Sequence, residues 1–337
     1  MLKKLVNEAY CRVRITTAGP LLVRSGQATI SGPDLTPVLT LRNGKREIFL
    51  PGSSLKGVFR SHIEKIVCSL KQQVVCYPFI PQDEQERKRY ELQGDHRKSC
   101  SGLFTDLSKR GDEMRKKLED RTDLVYKASC PTCRLFGSTG FIGRIAIGDA
   151  HLVSASQTEL RDGVGIDRMT GGASHGAKFE LEVVSTGVTF ETDIHLRNFE
   201  IWQLGMFFVV MQDLQDGLIH IGSGRSRGLG KVTAQISTEP YNGQPGGFIT
   251  STLRDSKEHE TELWGLGRWL NDNSYGTSKD DLLREIPIIE KQARSIRSLR
   301  SFQGENLTFL QNASTNHFIE RMQQWPDQQA LTAELVG

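Results

Sequence analysis

Phe49-Leu50-Pro51-Gly52-Ser53-Ser54-Leu55-Lys56-Gly57-Val58-Phe59-Arg60 joins a strand end, a Pro-Gly turn, a helix start and two cations within twelve residues. Ser53 or Ser54 is placed to cap the helix that follows, whose apolar positions Leu55, Phe59, Ile63, Ile66, Val67 and Leu70 recur at helical spacing. Free amides at such a helix start face an anion, and Lys56 and Arg60 add full positive charge. The segment therefore reads as a phosphate grip, against the plain alternative of a capped core helix.

Upstream, Cys11 to Thr16 alternates polar and apolar residues as a first strand. Val38–Leu41 and Glu47–Leu50 flank Asn43-Gly44, a hairpin turn signal. Downstream, residues 71–128 are charged and irregular and read as an insertion, with strand character returning from Arg144 to Val153. Gly165 to Ala177 reads as a flexible loop, Lys178–Val184 and Val188–Ile194 as a hairpin, Asn198–Leu214 as a helix and Gly230–Ile236 as a closing strand. Strand, helix, strands, helix, strand is the order of the split βαβ fold, an α+β architecture. A linker near Glu239–Gly247 then leads into helical patterns at Thr261–Leu270, Lys279–Arg300 and His317–Gln324, expected as a helical extension over 239–337 after a main domain over 1–238.

A second glycine-basic run, His220-Ile221-Gly222-Ser223-Gly224-Arg225-Ser226-Arg227-Gly228-Leu229-Gly230-Lys231, is too permissive for a helix and reads as a loop entering that last strand. Its glycines allow close approach of backbone to a ligand, while Arg225, Arg227 and Lys231 can pair with phosphates. The run lacks the GK[ST] ending of a nucleoside-triphosphate loop and the placement of a dinucleotide fingerprint, so polymer phosphate is the better ligand. With 43 basic against 40 acidic residues among 337, a nucleic-acid surface has to come from local clustering of this kind. Asn7 and Glu8 interrupt any signal-peptide core and no run is long enough for a bilayer, so a cytoplasmic protein with no membrane partner is expected.

Six cysteines in such a compartment read as thiols or metal ligands rather than disulfides. Cys130-Pro131-Thr132-Cys133 can hold one tetrahedral ion from a tight knuckle, with Cys76 and Cys100 as the second pair and His96 as a substitute for either. A structural zinc ion would then order the polar insertion over 71–135. Reduced, unconnected thiols are the alternative, and Cys68 falls on the helix as core. Nothing resembles a serine triad, and the eight histidines lack the paired spacing of a metallohydrolase. His62 reads as a satisfied histidine.

The two glycine-basic segments, with Cys130-Pro131-Thr132-Cys133-Arg134-Leu135-Phe136-Gly137 and Ile166-Asp167-Arg168-Met169-Thr170-Gly171-Gly172-Ala173, resemble the RAMP superfamily of CRISPR-associated proteins, and more closely the backbone subunit of type III effector complexes. The resemblance spans about residues 10–235. It implies a modified ferredoxin-like, RNA-recognition-type fold that assembles with other subunits along a CRISPR guide RNA and cuts the paired target RNA. On that basis Ser53, Ser54, Lys56, Arg60, Gly222, Gly224, Arg225, Arg227, Gly228 and Lys231 are expected to hold guide RNA. Residues 161–180 are expected to form a thumb, with Met169 and Ile166 as intercalating wedges and Arg168 on a phosphate.

In the resembled family the loop Ile30-Ser31-Gly32-Pro33-Asp34-Leu35-Thr36-Pro37 carries the aspartate on which target cleavage depends, which implicates Asp34, aided by Mg²⁺ or another divalent ion. Taken alone, an isolated Asp after Pro is more often a turn residue. His175 and Lys178 stand near enough in sequence to assist with phosphate charge. Two further readings accompany this one: a non-catalytic architectural subunit of the same complex, and a guide-processing endoribonuclease, which expects a general-base histidine near the N terminus where the first histidine here is His62.

Overall fold

The computed structural model describes residues 4–25, 32–77, 99–241, 243–253 and 257–327. Strand β1 (Glu8–Thr17) alternates buried and half-buried residues along its length, the signature of a strand with one face on the core. Strands β2 (Leu39–Arg42) and β3 (Lys45–Leu50) form the expected hairpin, with Asn43 at φ 50° and Gly44 at φ 76°, the left-handed pair that a two-residue turn needs. Helix α1 (Gly52–Leu70) buries Leu55, Phe59, Ile63 and Val67, four residues apart on one face. Each such burial contributes about 1.5–3 kcal/mol.

The region read as irregular holds four short helices: α2 (Cys100–Ser108), α3 (Asp112–Asp120), α4 (Thr122–Ala128) and α5 (Pro131–Phe136). Ser99 caps α2 by accepting the Gly102 amide, and Phe104, Leu107 and Val125 supply a small apolar core that the charge-rich composition hides. Strands β4 (Gly137–Ser138) and β5 (Phe141–Ile142) make a tight hairpin before β6 (Ile145–Ile147) and β7 (Ala150–Leu152).

Strand β8 (Thr158–Ile166) pairs with β9 (Ala173–Val184), and β10 (Thr189–Arg197) pairs with β1. The expected hairpin of 178–184 with 188–194 is therefore corrected: alternation marks both segments as strands, but each takes a different partner. The segment read as a flexible loop is instead the end of β8, a tip over 167–172 and the start of β9.

Helix α6 (Ile201–Gln215) is apolar nearly all round and lies at the centre of the core, capped by a reciprocal box between Glu200 and Gln203. Strand β11 (Val232–Ile236) follows. The strand order β11-β1-β10-β6/β7, antiparallel throughout, is that of a split βαβ sheet, with β3 and β2 extending it past β7.

The expected helix over Lys279–Arg300 is not present. Strand β12 (Phe248–Leu253) pairs with β1 over Glu8–Tyr10, next to the stretch that β11 covers. Past the short pair β13 (Leu263–Trp264) and β14 (Leu282–Leu283), with helix α7 (Leu266–Leu270) between them, β15 (Gln292–Arg294) and β16 (Arg297–Phe302) add to β12. Helix α8 (Gly304–Gln323) runs over α6, and Phe207 of α6 stacks on Phe248 of β12, which Phe208 meets at a tilt. The expected boundary after 238 thus falls between strands that join one sheet. Arg284 to Gln292 carries five charged or amide residues at irregular intervals, so its apparent helical period had no continuous apolar face to bury.

Candidate functional site

Helix α1 begins at Gly52 because nothing larger fits: a Cβ there would lie 2.3 Å from the Ile147 carbonyl oxygen. The Gly52 amide donates to Asp149 Oδ1 at 2.7 Å, and neither Ser53 nor Ser54 caps the helix through its side chain. The expected serine cap is thus replaced by a carboxylate from the turn between β6 and β7, an anion where the helix dipole favours one.

The residues of the grip part company on folding. Ser54 lines a cavity of about 430 Å³ together with His62, Lys65, Gly222 and Arg225. Ser53 and Lys56 line a second cavity of about 550 Å³ with Lys4, Arg144 and Arg197. Burial, then the nearby Arg60 charge, lowers the Lys56 ammonium below the usual lysine range. Arg60 turns inward: its Nη1 donates to Gly137 O at 3.2 Å, its Nη2 to Cys133 Sγ at 3.3 Å and its Nε to Glu64 at 2.8 Å.

The Gly222–Gly230 loop reaches the first cavity because Gly222, Gly224, Gly228 and Gly230 all take positive φ. A Cβ on Gly222 would meet Leu22 O at 2.3 Å, and the Ser223 amide donates to the same oxygen. The loop leaves Arg225, Arg227 and Lys231 exposed, with the Arg227 guanidinium 4.8 Å above the Phe179 ring of β9.

On the β8–β9 hairpin, Asp167 Oδ1 accepts the Met169 amide at 2.7 Å and fixes the tip, where Met169 is 93% exposed. Ile166 and Arg168 are exposed beside it. Asp34 lies at the base of the same hairpin: its Oδ2 accepts the Glu180 amide at 2.8 Å, and Leu35 bridges to Leu181. Lys178 is engaged with Asp162 and Glu180, and His175 is exposed on β9. Ile30 and Ser31 of the loop lie outside the described residues. His62 binds Asp213 through Nε2 at 2.5 Å, the partner of a satisfied histidine.

Cys76, Cys100, Cys130 and Cys133 are all buried, with their sulfur atoms within 4.8 Å of one another. Thiolates about 2.3 Å from a zinc ion stand about 3.8 Å apart, which this cluster accommodates. Mutual hydrogen bonding with Cys100 and Cys130, reinforced by burial, pushes the Cys133 and Cys76 thiols up. A bound cation would supply the charge that lets them ionise. Cys130 accepts the Cys133 amide at 3.3 Å and Cys100 the Cys130 amide at 3.2 Å, so the knuckle's own backbone orients the sulfurs. The cluster could hold a metal such as zinc. His96 lies outside the described residues. No other group of three or more convergent metal-ligating side chains occurs among the described residues, so none surrounds Asp34.

Sequence reasoning missed Asp149, Arg144, and the Lys65 and His220 that join Arg225. Asp149, Arg144 and Lys65 carry no motif of their own, and His220 opens the glycine-basic run without a phosphate-pairing charge to mark it.

Fold and site together define a mixed α/β protein on an antiparallel sheet, with a buried four-cysteine cluster and two cation-lined cavities flanking α1. The RAMP superfamily model matches residues 14–233, well over half the chain, and the chain belongs to that superfamily. No curated protein matches it in sequence. Membership supports a CRISPR-associated, RNA-binding protein of a multi-subunit complex. No helix among the described residues is long and apolar enough to cross a membrane.

Proposed function

We propose that this chain is a guide-RNA-binding backbone subunit of a type III CRISPR effector complex and cleaves guide-complementary target RNA through Asp34. The observation that carries the reading is the placement of Asp34 at the base of a hairpin whose exposed apolar tip, Met169, suits insertion between stacked bases. The Gly222–Gly230 loop and Ser54 meet at one cavity, which suits a guide backbone read by charge and shape while base pairing reads sequence.

With Asp34 Oδ2 taken by the Glu180 amide, Oδ1 accepts the proton of a target 2′-hydroxyl. The 2′-oxygen attacks the adjacent phosphorus in line and the P–O5′ bond breaks. The departing 5′-oxygen takes a proton from solvent, leaving a 2′,3′-cyclic phosphate and a 5′-hydroxyl. A divalent ion bound with the RNA would neutralise the phosphate in this scheme. The four cysteines would hold a structural zinc ion that orders the helices of 100–136.

The architectural reading is favoured by one observation: among the described residues, the hydrogen bond at the Asp34 carboxylate is the one that ties its loop to β9. Cleavage of a complementary RNA by the assembled complex with Mg²⁺, native against Asp34→Ala at equal target occupancy, decides between them. Cutting that vanishes supports the nuclease. Cutting that continues unchanged leaves a scaffold and ends the Asp34 mechanism.

A further inference from the structure

Arg144 is only 4% exposed, and its Nε is buried with no hydrogen-bond partner among the described residues. Its guanidinium lies 4.8 Å from the Tyr126 ring centroid, a contact that offers a cation far less than a carboxylate would. Glu200, a buried acid on the same Tyr126, already accepts from the Tyr126 hydroxyl and stands 3.9 Å from Arg134. A buried cation without a counter-charge costs several kcal/mol unless something supplies one.

Arg144 lines the cavity of about 550 Å³ beside the α1 N-terminus, with Lys4, Ser53, Lys56, His195 and Arg197, and no acidic side chain among the described residues lines it. Arg197 donates its amide to the Arg144 carbonyl, which sets the two arginines side by side across the strands. Like charges so placed repel. The fold holds them there rigidly. The Arg144 amide donates to Leu135 O at 2.7 Å, so the segment that carries it is tied directly to α5 and the cysteine knuckle. Arg60, one turn beyond Lys56 on α1, binds the same knuckle through Cys133.

We propose that this cavity is a phosphate-binding site, with Arg144 as its buried counter-charge and Arg197 and Lys56 closing around the anion. Ser53, at the first turn of the 19-residue helix α1, adds a hydroxyl, while the Asp149 carboxylate already occupies the Gly52 amide at the helix start. The same chemistry serves a phosphodiester of a bound RNA strand or a free phosphate. The RNA source rests on the reading of this chain as an RNA-binding subunit; the phosphate site itself does not.

The full chain and its Arg144→Gln, Arg144→Lys and Arg197→Gln variants are compared in two arms. In the first, the thermal midpoint is read in inorganic phosphate against chloride at matched ionic strength. In the second, a labelled single-stranded RNA is titrated over a range of salt. The native midpoint is expected to rise with phosphate, with the rise lost in Arg144→Gln and Arg197→Gln and kept in part in Arg144→Lys. If the strand supplies the phosphate, RNA affinity also falls about tenfold and the salt slope by about one in the Gln variants. Loss of the phosphate response with RNA binding unchanged assigns the site to free phosphate. Arg197→Gln is a change at an exposed position, so it reports on the site even if Arg144→Gln fails to fold. A phosphate response that is absent from the native chain, or equal in native and Arg197→Gln proteins, overturns the proposal. Neither result depends on whether Asp34 cuts.

Discussion

Arg60 Nη2 donates to Cys133 Sγ at 3.3 Å, joining helix α1 to a cysteine knuckle 73 residues further along the chain. A guanidinium beside a thiolate stabilises the charged sulfur and orients it, the part that outer-shell partners play around metal centres. Arg60→Ala is expected to weaken zinc binding about 10- to 100-fold, read by competition against a chromogenic chelator. Arg60→Lys, which keeps the charge but loses the fork that also reaches Gly137 O and Glu64, should recover only part. Equal zinc affinity in all three proteins would show that the contact does not tune the site.

Arg300 and Glu258 form a buried ion pair, 3% and 1% exposed, and Arg300 also donates to the carbonyls of Glu260 and Glu262. Burial pushes the Glu258 carboxyl up, against the pull of Arg300. Arg300→Met leaves that carboxylate unpaired and is expected to cost about 3–5 kcal/mol in urea unfolding. Adding Glu258→Gln should restore part of the loss. A double variant no more stable than the single one would refute this account.

Burial, assisted by Arg197, lowers His195 to about 4. The contacts agree with a neutral ring: Nδ1 accepts from Arg197 Nε at 3.3 Å, leaving Nε2–H to donate to Glu8 at 3.0 Å. Glu8 also pairs with Arg297, so its charge is already engaged. Because the folded pKa lies below the unfolded one, near 6.5, the unfolded chain binds the proton first as pH falls. Stability from this group is complete above about pH 6.5 and is lost between there and about 4. His195→Gln should flatten that stretch of the stability–pH curve, and an unchanged slope would count against the neutral assignment.

Gly222 sits at φ 82° with Leu22 O where its Cβ would be. Gly222→Ala is expected to destabilise by about 1–3 kcal/mol and to push the basic loop away from Ser54. Gly228→Ala, with open space around its Cβ position, pays only for its φ of 78° and should cost less. The order of the two thermal midpoints checks the argument.

Much of the fold could be read from the chain because local chemistry dictates it. Asn43-Gly44 can close only a few kinds of turn, the i, i+4 spacing from Leu55 to Val67 buries one helix face, and β1 alternates because one face is wet. The cysteine cluster was legible too, since a thiol pair two residues apart leaves little other geometry. Reading failed wherever the partner decided the outcome. Alternation marked 178–184 and 188–194 as strands but could not say that one pairs with β8 and the other with β1, some 180 residues away. Residues 292–302 became strands because β12 offered β16 a ladder and β16 offered one to β15, which no local periodicity announces.

The sequence by itself determined the first hairpin, the face of α1 and the Cys130–Cys133 pair, because backbone sterics and side-chain spacing act over a few residues. The tertiary structure alone decided what the cations are for. It sent Arg60 to a sulfur, Arg225 to one cavity and Arg144 with Lys56 to another, because a charge takes its meaning from whatever long-range packing sets beside it.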